Sequence, residues 1–138
     1  MTAEEPTSTD DHLAAARDLY AAFAARDAVA LLDVLHPEFV GYASAGMPLR
    51  VGGRHDGPKA MLAEVWGPVF AAYDAVPEAD ELLVCDDGRV VAVGAYRGTE
   101  RGTGAAMEAT FAHLLRFRNG KISELVQITD TASWPVAS

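Results

Sequence analysis

Residues 118–131, Arg118-Asn-Gly-Lys-Ile-Ser-Glu-Leu-Val-Gln-Ile-Thr-Asp-Thr131 ("RNGKISELVQITDT"), open on a two-residue turn and run into a strand that closes on a carboxylate. Asn-Gly between apolar runs marks a tight hairpin, because both central residues of the favoured turn need positive φ. On a regular strand Asp130 shares the parity of Ile122, Val126 and Ile128, so its side chain is expected on their apolar side. An unpaired carboxylate facing a core is costly. Two readings stand. Asp130 caps the turn into Thr131-Ala-Ser-Trp134, or it lines a cavity whose apolar walls raise its pKa into the range useful for proton transfer.

Working outward, the stretch from Glu81 to Thr131 reads as four strands, with Asp87-Gly88 and Asn119-Gly120 as tight turns and the Gly-rich "GTERGTG" as a longer one. Upstream the apolar period lengthens to that of helices. Ser8, Thr9 or Asp10 can cap a first helix carrying Leu13, Ala16, Leu19, Tyr20 and Phe23, and Asp27 can cap a short second one through "AVALLDVL". "EFVGYAS" fits a strand or a turn, and "GMPLRVGG" is loop chemistry. A third helix follows in "HDGPKAMLAEVW", with Asp56 as cap and Met61, Leu62, Val65 and Trp66 as its stripe, ended or kinked at Gly67-Pro68. Helices followed by a meander give an α+β domain, three N-terminal helices packed on a strongly curved antiparallel sheet. The boundaries expected are a disordered tail over 1–8, one domain over 9–134 and a C-terminal tail over 135–138.

Composition narrows the partners. The 138 residues are half hydrophobic and carry a net charge of −9, which disfavours a nucleic-acid backbone or an anionic membrane as partner. No apolar run is long enough for a membrane span and no signal peptide is apparent, so a soluble cytoplasmic protein is expected. Cys85 is the only cysteine and the four histidines are scattered, so neither a metal nor another cofactor is expected. Nucleotide-binding glycine motifs and a hydrolase elbow are absent.

The order "LYAAFAARDAVALLDVLHPEF", "GRHDGPKAMLAEVW", "FAHLLRFRNGKISELVQITDT" resembles the SnoaL-like branch of the NTF2-like superfamily, the cone-shaped fold shared with ketosteroid isomerase and limonene epoxide hydrolase. The resemblance implies a cone with an internal pocket and a small-molecule substrate. It also implies general acid–base chemistry of the cyclase, isomerase or epoxide-opening kind, possible substrates including polyketides. It places Asp130 at the acid–base aspartate of SnoaL-like cyclases. The ketosteroid isomerase base is not carried over, because "VGYASAG" holds no carboxylate, and Tyr20 lies near that family's oxyanion tyrosine, one residue out of register. A non-catalytic binding or dimerisation module of the same fold is the alternative. A cavity filled by Phe and Trp with no carboxylate inside would favour it.

His113 lies on the apolar parity of Met107, Ala109, Phe111, Leu115 and Phe117. The Asn-Gly turn sets it opposite Val126 and sets Asp130 opposite Ala109, about 13 Å away at roughly 3.3 Å per residue, unless a bulge intervenes. Asp130 and His113 are therefore the expected catalytic pair, acting on a substrate held between them. Tyr20, Phe23, Tyr42, Met61, Trp66, Phe70 and Tyr96 are the expected pocket lining. Gln127 and Glu108 take the opposite parity and are read as outward-facing; Arg50, Arg54 and His55 sit in a solvated loop. Apolar residues on both parities of "RVVAVGAYRG" call for cover on two faces of the sheet, hence a homodimer through it.

Overall fold

The computed structural model describes residues 8–136; the expected tails lie outside this range except for Ser8, Pro135 and Val136. Helix α1 (Thr9–Ala25) starts at a reciprocal capping box between Ser8 and Asp11 and stops where Arg26 turns left-handed. Its buried stripe is Ala15, Ala16, Leu19, Tyr20, Ala22 and Phe23. Helix α2 (Ala28–Asp33) is capped by Asp27. The third predicted helix is two α segments, α3 (Pro58–Met61) and α4 (Gly67–Ala72), joined through a π turn over Leu62–Trp66. Pro68 explains the π turn. It has no N–H for a regular i→i−4 bond, and its ring would crowd the carbonyl of Glu64. The wider turn lets Gly67 donate to the Leu62 carbonyl instead, and the helix continues past the point where the sequence suggested an end.

Six strands form one sheet in the order β2-β1-β6-β5-β4-β3. They are β1 (Leu35–Ala43), β2 (Gly53–Asp56), β3 (Tyr73–Val84), β4 (Val90–Glu100), β5 (Ala106–Arg118) and β6 (Lys121–Thr129). Strand β2 stands where loop is expected, β1 is a strand rather than a turn, and β3 begins eight residues before the expected Glu81. The sheet is antiparallel as expected except for one pair, since β1 runs parallel to β6. This pairing makes β6 an interior strand, with a hydrogen-bonded neighbour on each side. Among the described residues no helix is long and apolar enough to cross a membrane.

The β5–β6 turn forms as expected, with Asn119 and Gly120 both at positive φ and Arg118 opposite Lys121. The register then shifts. Phe117 pairs with Ile122 but Arg116 pairs with Glu124, so Ser123 is an extra residue, a β-bulge. Every side chain beyond it changes face relative to a regular strand. Leu125 and Gln127 point inward while Ile128 is 54% exposed.

Candidate functional site

Inside the cone the bulge sets Gln127, not Val126, opposite His113. His113 is buried to 1% exposure, and both its ring nitrogens are bonded to tyrosines. The Tyr20 hydroxyl, from α1, lies 2.7 Å from Nδ1, and the Tyr96 hydroxyl, from β4, lies 2.9 Å from Nε2. Gln127 Nε2 donates to the Tyr96 oxygen at 2.8 Å. Its Oε1 accepts the backbone N–H of Ser44 at 3.0 Å, and the Ser44 hydroxyl donates to the Gln127 carbonyl. Five groups from four elements and the loop after β1 thus form one buried polar chain. Among the described residues no buried side-chain nitrogen or oxygen lacks a neighbour at hydrogen-bond distance.

Aromatic rings wall this chain. Phe111 stacks on His113 at 4.0 Å between centroids and meets Tyr96 at 5.1 Å. Tyr20 adjoins Phe23, which meets Trp66 and Phe70 edge to face. In this setting charge is penalised. Burial pulls His113 from 6.5 down to about 3, so the imidazole is neutral. Burial also raises the phenols of Tyr20 and Tyr96 well above 10, and both are proton donors across the physiological range. The arrangement offers neutral hydrogen-bond donors in an apolar cage, a setting in which a developing oxyanion is stabilised strongly.

Of the residues expected to line the pocket, Tyr20, Phe23, Met61, Trp66 and Tyr96 are buried in the core, with the half-buried Phe70 packed against it. Met61 lies so close to Gly41 that a Cβ there would sit 2.5 Å from the methionine sulfur. Tyr42 is corrected. It alternates with the inward Phe39, Gly41 and Ala43, faces out on β1, and its hydroxyl accepts from Arg54. Asp130 is corrected too, because the bulge reverses its parity. It is exposed, and it caps the 3-10 turn Thr131–Ser133 by accepting from the Ala132 N–H and the Ser133 hydroxyl. The geometry therefore does not bring Asp130 to His113. His55 also departs from the solvated-loop reading: it is buried on β2, with its ring nitrogens on Glu64 and the Val51 carbonyl.

Sequence reasoning missed Gln127, Ser44, Phe111 and Trp134. Phe111 was legible from its shared parity with His113. Gln127 was hidden by the bulge, and Ser44 contributes a backbone donor that no side-chain pattern reports.

Trp134 covers the Tyr96 side of the group. The 3-10 turn swings the chain back so that the indole packs on Tyr96 at 4.8 Å and on Tyr73 at 5.1 Å. The Tyr73 hydroxyl fastens the segment by donating to the Pro135 carbonyl. Outside the indole lies a cavity of about 300 Å³ lined by Gly46, Pro48, Leu49, Thr131, Trp134 and Val136. Leu49 in its lining and the adjoining Arg50 are both left-handed, φ 64° and 58°, a strained pair for side chains with a Cβ. Strain of this kind gathers at ligand clamps and mobile rims. A separate groove of about 680 Å³ between α1 and α2 carries aspartates over an alanine floor and does not reach His113. Among the described residues no group of three or more His, Cys, Asp or Glu is placed to hold a metal ion.

The curled sheet, the helical cover and the internal polar group define an NTF2-like cone. The SnoaL-like domain family model matches residues 16–125, and the chain belongs to that family. Among solved structures it is similar to an NTF2-like protein from Burkholderia thailandensis, at 30% identity and TM-score 0.76, over 87% of this chain and 91% of that one. An NTF2-like protein of unknown function from Burkholderia pseudomallei is 27% identical, TM-score 0.79, over 88% and 92% of the two chains. TerC, crystallised with polyporic acid, is 25% identical, TM-score 0.79, over 88% and 93%. No curated protein matches.

Proposed function

We propose that this chain is a cofactor-free acid–base enzyme of the cyclase or isomerase kind, in which the Tyr20–His113–Tyr96 group activates an electrophilic oxygen of a mid-sized, largely apolar molecule. One observation carries the reading. A neutral imidazole with a tyrosine hydroxyl on each nitrogen has three protons to place, two phenolic and one on the ring, but only two bonds to fill. One phenol O–H is left over. A donor of this kind in a dry aromatic cage is suited to a carbonyl or epoxide oxygen on which negative charge builds. TerC, similar in fold and crystallised with polyporic acid, supports an organic ligand for the same cone. Displacement of Trp134, beside the strained pair Leu49 and Arg50, would admit a ligand to the aromatic cage that holds the group. We place the protein in the cytoplasm, in keeping with a single unpaired cysteine.

Non-catalytic binding is the second reading. It is favoured by an interior filled with aromatic rings and by the outward position of Asp130. A panel of poly-β-ketone and epoxide substrates, turned over by the intact chain and by Tyr20→Phe and His113→Asn, separates the two. The enzyme reading requires turnover that falls about 10²-fold or more in the variants while binding persists. Saturable binding of panel members with no turnover of any of them is the outcome of a binder.

The same reading includes a homodimer. Across the outer face Val91, Leu114 and Val126 stand in one row and Val93, Ala112 and Ile128 in the next, directly opposite one another over three strands. Charges rim this patch: Arg97 with Glu78, Asp80 and Glu108 on one side, Arg116 with Glu124 on another. An apolar centre with a polar rim is the anatomy of an interface.

A further inference from the structure

The buried polar chain has a direction, and its origin is the one donor in it whose proton cannot be elsewhere. The Ser44 backbone N–H points at Gln127 Oε1, so the amide cannot be flipped and its NH₂ must face Tyr96. A phenol oxygen conjugates one lone pair with its ring and accepts one strong bond in the ring plane. With Gln127 occupying that lone pair, Tyr96 must give its own proton onward, and the acceptor within reach is His113 Nε2. The imidazole proton then sits on Nδ1 and is donated to the Tyr20 oxygen. The opposite order would make Tyr96 accept a second strong bond, from His113 Nε2, on an oxygen whose in-plane lone pair Gln127 already holds. Successive bonds in the first order reinforce one another, since each group that accepts becomes a better donor.

We propose that Gln127, oriented by Ser44, is the positioning residue that sets this polarity, so that Tyr20 rather than Tyr96 presents the free hydroxyl proton to a bound ligand. The proposal deepens the reading of Tyr20–His113–Tyr96 as the reactive group and rests on it for the ligand. It identifies the matching chemistry as an oxygen acceptor, a carbonyl or enolate, approaching the α1 side of His113. Gln127 touches no ligand in this scheme. It acts through Tyr96 and His113, relaying a choice made at a backbone amide 83 residues away in sequence.

The tautomer of His113 reports the polarity with no ligand present. In ¹⁵N-labelled protein at neutral pH the one-bond N–H coupling is expected on Nδ1; a proton on Nε2 in the wild-type chain overturns the proposal. Gln127→Glu, above neutral pH, keeps the acceptor for Ser44 but gives Tyr96 an acceptor instead of a donor. The whole chain should then reverse, moving the His113 proton to Nε2 and turning Tyr20 into a donor to Nδ1. A folded Gln127→Glu variant whose tautomer is unchanged removes Gln127 from the role. Should that variant not fold, Gln127→Met tests the same point, and the Nδ1 tautomer should lose its majority there; retention in full counts against Gln127. The substrate panel can fail while the Nδ1 tautomer is found, which sinks the enzyme reading alone. The reverse result sinks only the polarity.

Discussion

Tyr20 and His113, 93 residues apart, are joined by a 2.7 Å hydrogen bond that ties the first helix to the middle of the sheet. Removing the hydroxyl has two separable effects. Tyr20→Phe deletes the outgoing proton and should lower turnover by about 10²-fold or more, the scale of a lost oxyanion donor. It also strands the His113 Nδ1–H, which should lower stability by about 1–3 kcal/mol. Urea unfolding and turnover on the same variant check both; wild-type turnover in a folded Tyr20→Phe would remove this hydroxyl from the chemistry.

Acid stability should carry the signature of His113. Its folded value is depressed from 6.5 to about 3, so between those limits the unfolded chain binds a proton that the folded chain refuses. The contribution is therefore complete above about pH 6.5 and is lost as pH falls toward 3, at up to about 1.4 kcal/mol per pH unit. Denaturation midpoints measured from pH 7 to pH 4 should drop more steeply for the wild type than for His113→Asn. Parallel slopes would show that the imidazole titrates freely in the folded state.

Asp130 should behave as a cap. Asp130→Ala removes acceptors for the Ala132 N–H and the Ser133 hydroxyl and is expected to cost about 1 kcal/mol. Turnover should stay near normal. A collapse of turnover with unchanged stability would return the aspartate to the mechanism.

Trp134→Ala should open the aromatic cage. The indole covers Tyr96, so its loss exposes the Tyr96–His113 side to solvent and should speed ligand association while lowering stability by about 3–5 kcal/mol. Stopped-flow binding of a panel member tests it; an unchanged association rate would place the entrance elsewhere.

Charge placed at the centre of the outer face should split a dimer. Leu114 has Val91 on one side and Val126 on the other, so Leu114→Asp puts a carboxylate in the middle of the apolar row. Sedimentation should show wild-type dimers and Leu114→Asp monomers at micromolar concentration. A wild-type monomer would leave the patch without this partner.

The element order and the closing turn were legible in the sequence because they rest on local signals: capping residues, periodicities of 3.6 and 2, and Asn-Gly. His113 and its inward parity were legible for the same reason. The β1–β6 pairing was not, since a parallel contact between distant segments leaves no turn between them to read. The greater loss came from Ser123, one residue with no distinguishing chemistry. It reversed the faces of Gln127 and Asp130, promoting the first to the interior and moving the second to the rim. Tyr42 was misplaced for a simpler reason: an aromatic on a strand was assigned inward before the strand's own alternation had been fixed.

The position of β6 has a consequence for how the molecule comes into being. The sixth strand in chain order lies between β1 and β5, so the two sheet halves have no common edge until residues 121–129 have been synthesised. Until then α1 and α2 have only part of their packing surface, and β1 waits with an unpaired edge open to wrong partners. Assembly must close a loop of some eighty residues at its final step, an arrangement that slows folding. A chain cut before Lys121 would therefore not be a smaller version of this domain but two fragments of a sheet without their keystone.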